Sequence, residues 1–576
     1  MKVPETERTM TVRIPPALTR KPLHLPLPRL FVLAAVLLSL LDCTALCPSL
    51  PKTPVPSPTS SPRDLHLTPA DVTIYPLPVS GLGGPHLYYR GDVLSFDVTP
   101  RNLGAIPLGD VGVRIYRQDG VEPEAIAEGT LGYPAFDGVP RARLTWVWDT
   151  STADGRETVI VHLDPDDRIQ AGDEDPTNNV VTLTVRFLSA AARPTTEAAA
   201  TWAFTTSDCC VIHYITHTAA ERDLPTIVAS ANRAVAGTEA QLGTRLVSPL
   251  QVYLIGRVLG HGGYAREGVV ISYLDRHYAG ADLEMVLRHE AAHVLDASLT
   301  GFTTPSMLRE GLATWVAGGH YKPENIPRRA GALLRMGKYI PLPQLMENFY
   351  HHQHEIGYLE AAAFVGYLVE TYGWEEFLAF YKESGGLEAS PSPADVLDAA
   401  LRGRFGVGLE ETERSFRLWL TLQNPSDDEV QDLDLTIRIF DAVRRYQQAY
   451  DPQAYFLSGW LPDPVEAMDR GIVADFLRRP RDPRAVAIET MLASAQDALR
   501  RGALDRAADL VSGAERALEG DFTASPAADY LAIARAVSAQ GAEVQRVELD
   551  GTTARAWVTT DGPHLQVWAL QRMDVR

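Results

Sequence analysis

The chain has 576 residues, 45% of them hydrophobic, which is enough for several separate cores at the usual domain size of about 100–200 residues. Its formal net charge of −20 opposes a nucleic-acid partner, which would require a basic surface field. With only 4 cysteines, the fold must be held by packed cores rather than by disulfide staples.

In chain order, the first element is the apolar run Leu30–Leu41, preceded by Arg8, Arg13, Arg20, Lys21 and Arg29 and ended by Asp42. A basic stretch before about a dozen apolar residues is the layout of a secretory signal, because a spanning helix needs about 20. Residues 1–47 are therefore expected to be a signal peptide cut near Cys43–Ala45, with an uncleaved anchor as the alternative. Lipidation of Cys43 is a third option, opposed by Asp42 where such signals want a small residue. Either way the protein is expected outside the cell or at its surface, with possible cell-envelope attachment through the N-terminus. Residues 48–63 are too rich in Pro and Ser to build a core and read as an extended linker.

Residues 64–189 alternate apolar and polar side chains in short runs such as "DVTIYPLPV", "VGVRIYRQDG", "RLTWVWDT" and "VVTLTVRFL", separated by Gly, Pro, Asn and Asp. Period-two runs at this spacing predict an antiparallel β-sandwich. The pieces "VTPRNLG", "VRIYRQDG", "WVWDT" and the closing "DPDDRIQAGDEDPTNNVVTLTV" resemble the cell-adhesion-related (CARDB) module, which implies an immunoglobulin-like fold that spaces or binds. The acids Asp164, Asp166, Asp167, Asp173, Glu174 and Asp175 are read as a solvated loop in preference to a calcium site.

Residues 200–425 change period: strand-like "CVIHYIT", "LQVYLIG" and "GVVISYLD" are followed by several helices, an α+β pattern. The adjacent Cys209 and Cys210 are read as buried small hydrophobes, since a disulfide between neighbours is strained. Residues 426–576 are mainly helical and end in a hairpin-rich sheet with turns at "LDGT" and "TDGP". The expected architecture is thus multidomain: a sandwich, an α+β domain, and a helical region closed by a small antiparallel sheet.

The chemistry concentrates in "RHEAAHVLD", where His289, Glu290 and His293 spell H-E-x-x-H. On a helix the two histidines share one face at a separation that suits a metal, and Glu290 reaches a water rather than the ion. Asp282 is a natural N-cap, and no Gly or Pro interrupts the segment before Gly301. A second helix, "TTPSMLREGLATWVAGG", is expected with Thr304 as N-cap and Pro305 at its first position. It carries Glu310 beside Ala313, Thr314 and Ala317, a small-residue face that permits close approach and lets Glu310 serve as third ligand.

"VLRHEAAHVLD", "PSMLREGLATWV" and "YLEAAAFVGYLVETYGWEEFLAFY" resemble the gluzincins, the thermolysin-type zinc metallopeptidases of the peptidase MA-like group, over about residues 200–425. The resemblance implies a zincin-like fold, a Zn2+ ion on His289, His293 and Glu310, and Glu290 as general base. In that chemistry zinc activates water and polarises the scissile carbonyl, and Glu290 passes the proton to the leaving amine. Tyr358 best matches a transition-state donor and His320 is second, against a packing tyrosine and a solvated histidine. Three further expectations attach to this region. Gly268–Asp275 is either a substrate-pairing edge strand or an internal one. Asp296 either orients a ligand histidine or is solvated. His351, His352 and His354 are read as a polar loop before a second metal site.

Together these point to an exported zinc metallopeptidase acting on a peptide or protein substrate. The alternative is a surface adhesion or scaffold protein with a vestigial zinc site.

Overall fold

The computed structural model describes residues 7–9, 64–100, 111–118, 122–133, 136–169, 173, 175–260, 262–265, 268–300, 304–385, 392–551 and 553–571. The expected signal run, Cys43, Cys47 and the Pro/Ser linker lie outside them. No described helix is long and apolar enough to cross a membrane.

The N-terminal region is two sheets face to face. One has the strand order Val72–Tyr75, Val93–Val98, Ala142–Asp149. The other runs His86–Tyr89, Val180–Leu188, Arg156–Leu163, Gly112–Gln118, Pro123–Thr130. Ile74, Phe96 and Trp148 from the first meet Ile115, Val161 and Leu183 from the second in one core. Two strands escaped the sequence pattern, His86–Tyr89 and Pro123–Thr130. Both are sheet edges; the first has only four residues, and the second buries none of its residues fully, with Ile126 and Ala127 partly covered by the core, so neither carries a clear inward alternation.

A five-stranded mixed sheet follows, ordered Trp202–Thr206, Cys210–Ile215, Leu250–Ile255, Val269–Ser272, Gly263–Ala265. Its three central strands are parallel, and helix α1 (Leu224–Leu242) makes the first crossover, burying Ile227, Ala231, Ala234 and Val235 on the sheet. All of Val269–Ser272 is buried, because neighbours flank it on both sides. It is therefore the internal strand of the two readings, and the edge is Gly263–Ala265. Cys209 and Cys210 correct another expectation: they form a disulfide at the mouth of Cys210–Ile215, where both had been read as free buried thiols.

Helices α2 (Leu283–Thr300), α3 (Ser306–Ala317) and α4 (His354–Tyr372) build a second core around Leu308, Leu312, Phe364 and Leu368. Helix α5 (Asp427–Tyr450) begins on a capping box from Ser426 and Glu429 and ties two cores together. Its Leu433 and Ile437 join the α3/α4 core, while Ile439, Phe440 and Tyr446 join a C-terminal core. There Pro483–Arg500, Leu504–Leu518 and Ala527–Ser538 pack against the sheet Glu543–Asp550, Thr553–Thr559, Gln566–Gln571. Glu7–Thr9, which lies inside the 1–47 stretch expected to be a signal peptide or anchor, adds a parallel strand to that sheet's edge, a place it keeps only if the stretch is not cut away.

The sandwich does not stand apart as a spacer. It docks on the segment 453–478, which the fully buried Arg257 holds from beneath through the carbonyls of Gln453, Trp460 and Asp475. From the sandwich side, Trp146 donates its indole N–H to Asp475 at 2.8 Å, and Arg143 donates to the carbonyls of Ser458 and Gly459. Tyr75 stacks on Trp460 with centroids 4.4 Å apart. Arg478, buried, reaches across to Asp92 at 2.8 Å and Glu197 at 2.7 Å.

Candidate metal centre

Helix α2 starts where Asp282 accepts a hydrogen bond from the Glu284 backbone at 3.0 Å, the cap expected from the sequence. Leu287 and Ala291 face the mixed sheet and Ala292 and Leu295 face α3 and α4, which leaves His289, Glu290 and His293 to the cleft. Helix α3 begins one residue later than expected. Pro305, with φ −55° and ψ 143°, occupies the cap position, and the buried Thr304 hydroxyl makes no hydrogen bond among the described residues. The small-residue face works as anticipated, and Gly311 is its tightest point: a Cβ there would lie 2.7 Å from the Ala361 carbonyl of α4. This close approach fixes Glu310, which is 7% exposed, against α2.

The three donor atoms converge. His289 Nε2 is 3.1 Å from His293 Nε2, and Glu310 Oε2 is 3.3 Å and 3.2 Å from them. A tetrahedral zinc site with bonds of about 2.0–2.1 Å has ligand–ligand edges of about 3.3 Å, so all three separations fit one ion. Among the described residues this is the one group of three His, Cys, Asp or Glu side chains arranged to hold a metal, so His351, His352 and His354 form no second centre there.

Glu290 lies beside the donor set but outside it, 6% exposed. Burial, reinforced by the Glu310 charge and opposed by His289, pushes its carboxyl up to about 7. Burial also raises the Glu310 carboxyl, yet the two imidazoles facing it hold it well below the usual range, so it stays an anion. The edge strand Gly263–Ala265 passes directly over this group: a Cβ on Gly263 would sit 3.3 Å from Glu290 Oε1 and 3.0 Å from the Val270 carbonyl. Gly263 thus keeps backbone close to the Glu290 carboxyl.

Tyr358, on the first turns of α4, faces the same cleft with its ring 6.1 Å from that of His289. Its hydroxyl makes no hydrogen bond to a described residue, and burial holds its proton on well above the ordinary phenol range. It is a donor without a partner among the described residues. His320 stacks on Tyr358 at 4.7 Å and gives its Nδ1 to the fully buried Glu355 at 2.5 Å, so it is neither solvated nor loose. Asp296 is likewise buried, at 1% exposure. Its Oδ1 accepts from Thr300, and its charge neighbours include His293, so the solvated reading is excluded.

Sequence reasoning missed Tyr350, whose hydroxyl donates to Glu310 Oε1 at 2.8 Å and accepts from Arg309 at 3.3 Å. The bond occupies the oxygen turned away from the histidines and so fixes which one is presented. It missed His354, which it left in a polar loop: that residue opens α4 and packs between Tyr358 and Phe456. It also missed Phe136, a sandwich residue in the wall of the cleft. No local spacing joins any of these three to the metal motif. The cleft encloses about 360 Å3.

No protein-family model matches the chain, and no curated protein does. Among solved structures, a CARDB domain from Pyrococcus furiosus, described in complex with di-metal ions, is 20% identical and covers 22% of this chain and 88% of its own, with a TM-score of 0.15. An M1 zinc metallopeptidase from Deinococcus radiodurans is 16% identical, over 59% of this chain and 92% of its own, with a TM-score of 0.27. A metallopeptidase from Bacteroides thetaiotaomicron is 10% identical, over 65% of each chain, with a TM-score of 0.21.

Proposed function

We propose that the chain is an exported zinc-dependent peptidase of the gluzincin type, carrying a CARDB-like, immunoglobulin-like sandwich, with His289, His293 and Glu310 holding the metal. The observation that carries this reading is the trio of edges, 3.1, 3.2 and 3.3 Å, with a buried carboxylate beside it that is not itself a ligand. Zinc bound there supplies Lewis acidity, which makes water nucleophilic near neutral pH and polarises a carbonyl. Glu290 takes the proton from the attacking water and returns it to the amine as the C–N bond breaks, leaving a carboxylate and an amine as products. Tyr358 gives its unengaged hydroxyl to the oxygen of the carbonyl under attack. Tyr350 keeps Glu310 in a fixed rotamer. The half-buried sheet edge Gly263–Ala265 offers backbone groups on which an extended peptide pairs as a further strand.

The complete donor set and the poised Glu290 weigh against the adhesion or scaffold alternative with a vestigial site. The test is hydrolysis of a broad peptide library by the full chain, before and after chelation. The expected result is zinc-restored cleavage by the wild type and loss of both metal and activity in Glu310→Ala. Unchanged zinc stoichiometry in that variant, or cleavage indifferent to chelator, overturns the reading.

A further inference from the structure

Building on the peptidase reading, we infer that the N-terminal sandwich is a working part of the peptide-binding cleft: Phe136 forms, with Tyr350 and Phe456, an aromatic wall that takes an apolar side chain of the substrate. Phe136 comes from a sandwich connection, yet its backbone N–H donates to the Leu457 carbonyl at 2.9 Å and its ring lies 4.6 Å from that of Tyr350. Tyr350 in turn lies 6.0 Å from Phe456. All three rings line the cleft that holds Glu290 and the metal-ligand set.

The wall is built and it is open. The segment that carries Phe456 is held in place from both sides, by Arg257 beneath and by Arg143 and Tyr75 of the sandwich above. Phe136 nevertheless remains 58% exposed and Leu461, on the same rim, 49% exposed. Large apolar side chains left partly in water beside a reactive site gain by being covered, and what covers them here is whatever enters the cleft. Apart from Glu290 and Glu310, no described residue of the cleft lining is acidic, and the one described arginine, Arg309, is engaged with Tyr350. A volume of about 360 Å3 accepts a few residues of an extended chain. The substrate class is therefore an extended peptide with an aromatic or aliphatic residue close to the scissile bond, and the sandwich contributes to choosing it. Tyr350 also donates to Glu310, so an occupant of the wall sits one side chain away from a metal ligand.

The experiment uses the full zinc-loaded chain and internally quenched hexapeptides in an alanine background, with Phe or Asp placed at each position in turn. The wild type is expected to favour Phe at one position near the cleaved bond. Phe136→Ala should reduce that Phe-over-Asp preference roughly tenfold, chiefly through KM, with zinc content kept; Phe136→Leu should retain most of the preference. Because Phe136 is exposed, zinc content and the thermal transition of Phe136→Ala report whether the fold survives. Unaltered preference in a folded, zinc-loaded Phe136→Ala overturns the inference and leaves the peptidase reading standing. Failure of the wild type to cleave any peptide in a zinc-dependent way overturns the peptidase reading, and the inference falls with it.

Discussion

The two walls of the cleft are made in opposite ways. The metal wall is local: His289, Glu290 and His293 share one helix and Glu310 follows on the next, so a spacing of a few residues per turn sets the geometry. The opposite wall is assembled across more than half of the chain, with Phe136 seated on Leu457 and Trp146 on Asp475. The first is specified by periodicity, the second by an interface that no short stretch encodes. On the proposed function this difference becomes a division of labour, in which one wall would do the chemistry and the other would select.

Separating the walls tests that division most severely. Arg478 is 7% exposed between Asp92 at 0% and Glu197 at 7%, so Arg478→Met strands two buried carboxylates at the junction. Arg193, which also contacts both, compensates in part. A loss of about 3 kcal/mol in denaturant unfolding is expected, with zinc binding by the remaining folded protein little altered. A variant as stable as wild type would show that the walls are not energetically coupled there.

Within the metal wall, Tyr358→Phe removes the donor and keeps the ring. A fall of about 10²–10³-fold in kcat, with KM and zinc content little changed, is the expected outcome in steady-state kinetics. If activity survives, the donor role passes to His320, whose partner Glu355 already holds it in the cleft.

The junction also carries a pH signature. Burial raises the Asp475 carboxyl to about 6, while unfolding returns it to its ordinary value near 3.8. Between those values the folded state holds a proton that the unfolded state has released, so the contribution of Asp475 to wild-type stability falls as pH rises through this window. Asp475→Asn keeps an acceptor for Trp146 and has no such proton. Its stability relative to wild type should therefore grow by up to about 3 kcal/mol from pH 4 to pH 6.5, measured by denaturant titration at each pH. A flat difference would contradict the buried placement of the carboxyl.

The smallest expected effect is the most local one. Tyr350→Phe breaks the bond to Glu310 Oε1 and leaves the stack with Phe136, so zinc affinity should weaken about 10–100-fold in competition with a chelating dye. Unchanged affinity would mean that Glu310 is fixed by the α3/α4 packing alone.

These contrasts explain what could be read from the sequence. The convergence of His289, His293 and Glu310, the placement of Glu290 beside them and the helix start at Asp282 were legible because each follows from spacing along one or two helices. Most strands of the sandwich were legible through their alternation, the edge strand Ala142–Asp149 included, whereas His86–Tyr89 has only four residues and Pro123–Thr130 buries none of its residues fully. Gly268–Asp275 was left open between edge and interior because a short apolar run does not say how many neighbours it has. Phe136, Tyr350 and His354 were invisible for a different reason: their roles arise from contacts between residues that are remote in sequence. Cys209 and Cys210 form a disulfide rather than lying as free thiols, and adjacency in the sequence alone does not announce that bond.

The central claim, that a carboxylate outside the metal set moves the proton in peptide hydrolysis, is tested most directly by Glu290→Gln. Zinc content and hydrolysis of one peptide should be measured on the same preparation. The account predicts a wild-type complement of zinc together with a loss of about 10²–10⁴-fold in kcat. Zinc retained with full peptidase activity would contradict it.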